Sequence, residues 1–348
     1  MKKVLIVGGA GFIGSQLQKQ LKLNDSKVTV IDSFLQRVHG AVPVNLPENV
    51  FNIDSRNPEE INHYLKNERF SEIYFLASDT STGSSLDEID SHVSQNASAL
   101  AGLLRYLNIT RAMPERIVLT SSRAVYGEGH QIDGNNFIEL IKPRYLSQLR
   151  NRQWNENIKE GSKYLANCVF NTPNPNNVYG VTKLFQENLL RVWAIANGVK
   201  FDVYRLQNVI GPGQSPNNPY SGVITNFCKD AIIGKKLKVF EEGTIIRDFV
   251  HVEDVAAVLQ IPLKDGFTHI DIGNYKPVRL LDIARKISEY CYAPEPEVVA
   301  DFRIGDVHTA HACPCSINAL SRKWVPRNID SFVLEEIVKY VRSFNAND

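Results

Sequence analysis

The sequence lacks the features that mark several classes of protein. Its 39 Lys and Arg residues balance 38 Asp and Glu residues, and the net charge of +1 argues against binding to nucleic acid or a membrane surface through bulk charge. No apolar run approaches the length of a membrane span, and the short run Val4–Val7 leads directly into glycines rather than into a signal cleavage site. We therefore expect a cytoplasmic protein with no membrane or nucleic-acid partner.

Cysteine is scarce, and its pattern matches no disulfide framework. The chain has five cysteines, an odd number, at scattered positions, which is typical of a reducing compartment. Cys313 and Cys315 are separated by one residue rather than the two that zinc sites prefer, and no second pair completes a set. We expect no metal site.

What the sequence does contain is an alternation of short apolar runs and helical patterns. The 348 residues are 43% hydrophobic and 22% charged, which is ordinary for a globular protein with a large core and a smaller lobe. Four apolar runs have the length and character of buried parallel strands: Val4–Val7, Val28–Ile31, Ile73–Leu76 and Ile117–Thr120. Strands that alternate with helices predict an α/β fold, a Rossmann-type doubly wound parallel sheet.

The second half of the chain is expected to form the smaller lobe. A helix from about Tyr179 to Asn197 and a strand at Phe201–Leu206 complete a predicted dinucleotide-binding domain of residues 1–205. Residues 206–348 should mostly form a C-terminal substrate-binding lobe, with some segments returning to the first domain. The stretch 127–178 has little periodicity, and we interpret it as an insertion that is functional or has structure of its own.

A glycine-rich turn follows the first predicted strand. Gly8, Gly11 and Gly14 lie between that strand and a predicted helix, the context that a dinucleotide-binding loop requires. Glycines there allow a tight turn and let the backbone approach a pyrophosphate at the helix N-terminus. The pattern predicts a bound dinucleotide.

Two carboxylates follow at the ends of the next strands. Asp32 lies 18 residues past Gly14, where its side chain would accept hydrogen bonds from a ribose hydroxyl. Its charge also disfavours a 2′-phosphate, so NAD is expected rather than NADP. Asp54 follows a strand-like segment, and the sequence leaves open whether it meets the adenine edge or is a surface turn residue.

Three further residues predict proton transfer beside that dinucleotide. Tyr179 and Lys183 lie four residues apart and so share one face of a helix, where the ammonium can lower the pKa of the phenol. Ser122 ends a buried strand, at the edge of the sheet that faces the ligand. We expect Ser122 to hydrogen-bond the reacting oxygen, Tyr179 to transfer the proton, and Lys183 to bind ribose and tune the tyrosine.

Together with these residues, the segments Arg205–Asn208, Arg247–Asp254 and Arg303–Asp306 make the chain resemble the extended short-chain dehydrogenase/reductase family, the NAD-dependent epimerases and dehydratases of nucleotide sugars. The resemblance runs over nearly the whole chain. Val7 and Phe75 replace the family's usual threonine and histidine at two strand ends, and neither replacement removes a catalytic group.

The resemblance implies further contacts. Arg247 and Arg303 would neutralise the two phosphates of the substrate, a role that suits fixed guanidinium groups. Asn208 would contact the substrate near its pyrophosphate. The remaining residues implied at the substrate are Thr80 and Gly83, and those implied at the cofactor are Phe12, Ile13, Ile53, Leu76 and Ala77.

The residues directly after Ser122 indicate which reaction of the family to expect. Those enzymes carry Asp-Glu directly after the hydroxyl residue, and this chain has Arg123 and Ala124 there, so dehydration is not expected. The segments Ser121–Gly129, Gln207–Ser215 and Ser81–Ile89 are similar to a bacterial subgroup that contains dTDP-L-rhamnose 4-epimerase. Members of that subgroup often have paired cysteines in an insertion after Tyr-Gly, whereas this insertion has only Cys168.

The resemblance thus implies an NAD-dependent 4-epimerase of a dTDP-deoxyhexose. Tyr179 would take the 4-hydroxyl proton while C4 passes hydride to NAD, and the keto sugar would rotate before it is reduced on its other face. Two alternatives stay open: a 4-ketoreductase that uses free NAD(P)H, and an inactive dinucleotide-binding sensor or scaffold.

Members of the family commonly form dimers through the Tyr179 helix and the one near Asn96–Tyr106, so we expect a homodimer.

Overall fold

The computed structural model describes residues 1–345 except 41, 42, 44, 67, 81–85, 156 and 217–221. Within these residues the strands are β1 Lys3–Val7, β2 Lys27–Asp32, β3 Val50–Asn52, β4 Glu72–Phe75, β5 Arg116–Ser122, β6 His130–Ile132, β7 Ile138–Leu140, β8 Lys163–Leu165, β9 Lys200–Leu206, β10 Asn208–Ile210, β11 Lys238–Val239, β12 Ile246–Arg247, β13 Phe249–His251, β14 His269–Ile272, β15 Val278–Arg279, β16 Glu297–Val298 and β17 Thr309–Ala310. The α-helices are α1 Phe12–Leu23, α2 Gln36–His39, α3 Pro58–Leu65, α4 Ile89–His92, α5 Ala99–Thr110, α6 Leu146–Arg150, α7 Val178–Asn197, α8 Val223–Ile232, α9 Val252–Leu259, α10 Leu280–Cys291 and α11 Ser331–Asn345.

A parallel sheet forms the centre of the molecule. Seven strands of the described chain pair in the order β14-β9-β5-β4-β1-β2-β3. The strand order reverses between β1 and β4, and such a reversal opens a crevice at the carboxyl ends of the strands. The predicted α/β doubly wound sheet is confirmed.

Helices cover both faces of this sheet, which is why its strands are apolar along their whole length. Leu17 and Leu21 of α1 pack with Val255 and Val258 of α9 on one face. On the other face the core is formed by α3, α5 and α7. No helix in the described part of the chain is long and apolar enough to cross a bilayer.

The second half of the chain builds a lobe and also returns to the sheet. Helices α8, α10 and α11 pack around a core of their own. Strand β14 lies at the edge of the main sheet beside β9, and α9 packs on α1. The boundary after residue 205 therefore stays a prediction, and β14 and α9 are segments from beyond it that join the first domain.

The 127–178 segment has structure of its own. Strand β6 pairs antiparallel with both β7 and β8, and α6 follows β7. Leu149 of α6 and Trp154 are 2% and 7% exposed and anchor this small unit. Its buried Arg144 donates to Glu128 across 3.0 Å and to Glu241 of the lobe across 2.7 Å. The insertion is thus fixed to the lobe.

Candidate active site

A cleft of about 1110 Å³ opens at the carboxyl ends of the central strands. Every predicted site residue that the structure describes lines this cleft; Gly83 lies outside the described residues. The structure thus brings together Gly8, Gly11, Phe12, Ile13, Gly14, Asp32, Ile53, Asp54, Leu76, Ala77, Thr80, Ser122, Tyr179, Lys183, Asn208, Arg247 and Arg303.

The glycine loop at one end of the cleft has the form of an anion cradle. Gly8 has a φ of +79°, and a Cβ there would lie 2.5 Å from the Ala77 backbone nitrogen, so no other residue fits. Helix α1 starts after Gly11, has no side-chain cap and has no acidic residue in its first turn. Its first N–H groups and its dipole are therefore available to a negatively charged group, and these residues fit the pyrophosphate of a dinucleotide.

Asp32 is held beside this loop. It accepts hydrogen bonds from the backbone N–H groups of Ala10, at 3.0 Å, and Phe34, at 2.9 Å. These bonds fix a carboxylate at the cleft wall, which suits a ribose hydroxyl. Asp54 also lines the cleft, where burial alone would raise its pKa, but hydrogen bonds from Arg56 hold that pKa below its usual range.

Ser122 and Tyr179 meet in the middle of the cleft. Ser122 ends β5, and its hydroxyl accepts a hydrogen bond from the Ala124 N–H across 3.1 Å. Burial raises the pKa of the Tyr179 phenol, while a hydrogen bond with Ser122 and the positive charge of Arg123 act in the opposite direction. The two hydroxyl groups can therefore address one substrate oxygen.

The position of Tyr179 depends on the glycine that follows it. A Cβ on Gly180 would lie 2.5 Å from the Ala124 carbonyl oxygen, so only glycine lets α7 start this close to the end of β5. The Asn177 side chain accepts from the Gly180 N–H at 2.7 Å and caps the helix. The close approach of the two elements places the phenol next to Ser122.

Lys183 lies one helical turn beyond Tyr179 and is 2% exposed. Burial lowers the pKa of its ammonium to about 7, against the opposing charge of Glu187. Glu187 is itself committed, because it accepts from Ser121 at 2.5 Å and from Arg205 at 2.7 Å. The lysine can therefore gain or lose its proton near neutral pH.

Arg123 also lines the site, although the sequence indicates only that it replaces an acidic residue. Its Nε donates to the Asn208 side-chain oxygen across 3.1 Å, and it lines the cleft between Tyr179 and Arg247. Burial, with the neighbouring Arg247 charge, lowers its pKa to about 10. A guanidinium thus stands directly after β5, where an Asp-Glu pair would provide acid–base groups.

The far end of the cleft is basic. The Arg247 guanidinium is buried and donates to Asp306 at 2.9 Å and to the Val307 carbonyl at 2.6 Å. Arg303 is exposed at the rim and stacks on Phe240, with its Cζ 5.5 Å from the ring centre. Lys235, Lys236 and Lys238 line the same end. These lysines are not among the predicted site residues, although they cluster within four positions of the sequence.

Asn96 connects the cleft wall to the catalytic helix. It is fully buried in a π-helical turn, Val93–Ser98, a distortion often found at functional sites. It accepts from the Asp79 N–H at 2.7 Å and donates to Thr182 at 2.9 Å. The loop before Thr80 is therefore tied to the turn of α7 that carries Tyr179 and Lys183.

The insertion does not line the cleft in the described residues; the lining runs from Ala124 directly to Tyr179. It acts from behind the wall, because Arg144 donates to the Asp306 carbonyl across 2.8 Å. Asp306 in turn holds Arg247. Among the described residues, the insertion therefore contacts the cleft wall indirectly, through Asp306.

The comparisons with known proteins agree with this geometry. The sequence profile of the NAD dependent epimerase/dehydratase family matches residues 4–147 and 160–273. The chain belongs to this family of enzymes, and NAD is its cofactor. The resemblance read from the glycine loop and from the Ser122, Tyr179 and Lys183 set is confirmed at the level of the family.

Individual relatives are similar over almost the whole chain. A dTDP-L-rhamnose 4-epimerase from Burkholderia thailandensis is 36% identical over 334 residues, covering 94% of this chain and 91% of the relative. Among solved structures, the UDP-glucose 4-epimerase of Thermotoga maritima with UDP-glucose has a TM-score of 0.79 at 23% identity, with 99% of both chains covered. The Thermus thermophilus UDP-glucose 4-epimerase in complex with NAD has a TM-score of 0.78 at 22% identity, covering 98% of this chain and 99% of that one. These two structures show the shared fold.

Proposed function

We propose that this chain is a nucleotide-sugar 4-epimerase whose substrate is a dTDP-deoxyhexose. The proposal rests on the position of Ser122 and Tyr179, which meet in the cleft. The glycine loop and Asp32 line one end of this cleft, and basic side chains line the other. One end suits a dinucleotide and the other suits a diphosphate, so the sugar lies between them at the two hydroxyl groups. The choice of nucleotide and sugar rests on the 36% identical relative.

The chain's own residues supply proton transfer at one sugar oxygen. Tyr179 takes the proton of the 4-hydroxyl as C4 is oxidised and returns a proton as C4 is reduced. Ser122 holds the same oxygen through both steps. Because burial raises the pKa of Tyr179, the phenolate needs positive charge nearby, and Arg123 provides it. The protonated form of Lys183 would add to this charge.

NAD, when bound, supplies the hydride acceptor and donor at C4. Gly8, Gly11 and the first turn of α1 would hold its pyrophosphate, and Asp32 would hold a ribose. Lys183 would donate to ribose hydroxyl groups from the side of the cleft that carries Tyr179. The negative charge of Asp32 disfavours a 2′-phosphate, which argues against a reductase that works with free NADPH.

Positive charge at the opposite end suits a diphosphate ester. The guanidinium of Arg303 lies at the rim of the cleft. Arg123 also lines the cleft, and its bond to Asn208 holds it in position. Arg247 is engaged by Asp306 and backbone carbonyls, so we assign it the role of fixing the loop as well as contributing charge. If the diphosphate stays bound at this end, the keto sugar can rotate and present its other face to the cofactor.

Incubation of the purified enzyme with dTDP-L-rhamnose, followed by proton NMR of the sugar ring, tests the proposal. We expect a second C4 epimer to accumulate with no cofactor added. No change in dTDP-L-rhamnose, together with reduction of a dTDP-4-keto-6-deoxyhexose when NADPH is added, would indicate the 4-ketoreductase instead. Bound NAD without turnover on a panel of nucleotide sugars would indicate an inactive sensor.

We also propose a homodimer through α7. Its outward face carries Val181, Phe185, Val192 and Ile195, which are 49–67% exposed in the single chain. Apolar side chains at helical spacing on a surface of this kind favour association with another copy. A Phe185→Glu variant should elute as a monomer in light-scattering chromatography, and a monomeric wild type would contradict the proposal.

A further inference from the structure

Three cysteines from two distant parts of the chain bring their sulfur atoms together. Cys168 lies near the end of the insertion, and Cys313 and Cys315 follow the Arg303–Asp306 segment of the lobe. The three Sγ atoms all lie within 4.8 Å of one another. Cys168 Sγ is 3.3 Å from Cys315 Sγ, and Cys313 and Cys315 are paired as a disulfide in this structure. The cluster therefore joins the insertion to the lobe.

The backbone holds this cluster in place. Asn167 and Ala312 form a parallel bridge, in which the Asn167 N–H donates to the His311 carbonyl and the Cys313 N–H to the Asn167 carbonyl, each at 2.8 Å. In a parallel bridge the residues that follow the two partners point to the same side, so Cys168 and Cys313 are neighbours by register. The sulfur atoms do not depend on flexible loops for their proximity.

Hydrogen bonds around the cluster suit thiolates. The Cys315 N–H donates to Cys313 Sγ across 3.3 Å. The Cys168 carbonyl accepts from the Tyr126 hydroxyl at 3.0 Å and from the Asn171 N–H at 2.8 Å. The bond to Cys313 Sγ stabilises the charged form of that sulfur, and the two bonds to the carbonyl fix the backbone of Cys168.

We propose that in the reduced protein Cys168, Cys313 and Cys315 bind one Zn²⁺ ion. Tetrahedral zinc holds each thiolate sulfur at about 2.3 Å, which places the sulfurs about 3.8 Å apart and within the spread of this cluster. A disulfide uses two of the three sulfurs and leaves the third thiol against it, whereas a zinc ion engages all three. Among the described residues the cluster offers three ligands, and because Cys315 is exposed, water completes the fourth position.

The bound ion would link the insertion to the lobe eleven residues before Tyr179. The expectation of no metal site was drawn from Cys313 and Cys315 alone, because sequence spacing does not show that Cys168 joins them. This site lies outside the cleft lining and is independent of the proposed reaction.

The test is the zinc content of the full-length enzyme purified with reductant and without chelator. We expect one zinc per chain by mass spectrometry of the metal, and an intense sulfur-to-cobalt charge-transfer band when Co²⁺ replaces it. Cys168→Ser should lose both signals, and the control Cys291→Ser, at a half-buried cysteine of α10, should keep them. A metal-free wild type, or a Cys168→Ser variant that keeps its zinc, would overturn the proposal.

A second measurement needs no variant. Alkylation of the folded, reduced wild type should modify the three cluster cysteines slowly with Zn²⁺ present and many-fold faster after a chelator is added, while the rate at Cys291 stays constant. Equal rates with and without zinc would show that the ion does not bind there. Recovery of a Cys313–Cys315 disulfide in the presence of reductant would likewise count against a metal site.

Discussion

The Arg123 guanidinium bridges two strand ends by donating from Nε to the Asn208 side-chain oxygen, 3.1 Å away. This bond links the end of β5 to the start of β10 and holds a half-buried positive charge beside the Tyr179 phenol. In the proposed mechanism this charge stabilises the phenolate form of Tyr179.

Removing this charge should shift the pH dependence of the enzyme. Arg123 opposes the burial that raises the pKa of Tyr179, so Arg123→Gln should raise that pKa further and move the rising limb of kcat/KM upward by about one pH unit. Arg123→Lys, which keeps a charge, should shift it less. Profiles of kcat/KM against pH measure the effect, and three superimposable profiles would remove Arg123 from the mechanism.

Tyr179→Phe removes the phenol and keeps the ring. We expect turnover to fall by about 10³-fold, the typical contribution of a positioned general acid–base group. Bound NAD should be retained, since the variant keeps the glycine loop and Asp32. NMR rates measure this, with Tyr145→Phe at an exposed position of the insertion as the control. A Tyr179→Phe enzyme with most of its turnover would contradict the proposed mechanism.

Asp32→Asn should change cofactor preference. Ala10 and Phe34 donate to different carboxylate oxygens of Asp32, so the single amide oxygen of Asn keeps one of these two bonds, and the charge that receives a ribose hydroxyl is lost. We expect NAD affinity to fall by about tenfold and the NAD-to-NADP ratio of affinities to fall with it. Calorimetric titration gives both values. Asp25→Asn, at an exposed residue beyond α1, should leave them unchanged, and an unaltered ratio in Asp32→Asn would refute the assignment.

Gly180→Ala tests how closely α7 must approach β5. The added methyl group meets the Ala124 carbonyl, so the start of the helix must move; we expect a loss of about 1–3 kcal/mol in the free energy of unfolding and a large loss of turnover. Gly134→Ala, where a Cβ meets nothing within 4 Å, is the matched control. Urea denaturation and NMR rates measure the two effects, and wild-type values for Gly180→Ala would show that the tight approach is unnecessary.

Lys183 should make the stability of the cofactor-free protein depend on pH. Burial lowers its pKa from 10.5 to about 7, so between these values the unfolded chain binds the extra proton and stability rises with pH. The destabilisation is complete below about pH 7, where the lysine is charged in both states, and is gone above pH 10.5. Lys183→Met should therefore be more stable than wild type at pH 6, by on the order of 2 kcal/mol. Urea curves at pH 6 and pH 9 measure this, and Lys19→Met controls for an exposed lysine. Parallel pH dependences of wild type and Lys183→Met would contradict it.

Elements whose structure depends on neighbouring residues could be predicted from the sequence. Strands β1, β2, β4 and β5 were readable because both of their faces are buried, and the helix from Tyr179 to Asn197 because Gly198 stops it at a φ of +65°. For the glycine loop and for Tyr179 and Lys183, the spacing of the residues along the chain is enough to predict their geometry.

The rest depended on contacts between distant segments. Nothing near Arg123 in the sequence shows that Asn208 will hold it, and nothing near Cys168 shows that Cys313 lies beside it. The insertion was unreadable because its strands are three residues long and pair with one another rather than with the main sheet. Arg144 gave no signal at all, although it fixes that unit to the lobe.

The attachment of the insertion through Arg144 has an evolutionary consequence. Since Arg144 bonds to Glu241 and to the Asp306 carbonyl, and the Asn167–Ala312 bridge adds a second attachment, the outer strands and turns of this unit can change in length and surface without moving a reacting group. Related enzymes could thus vary this segment freely, as a place to acquire new partners or stability, while the chemistry behind it is inherited unchanged.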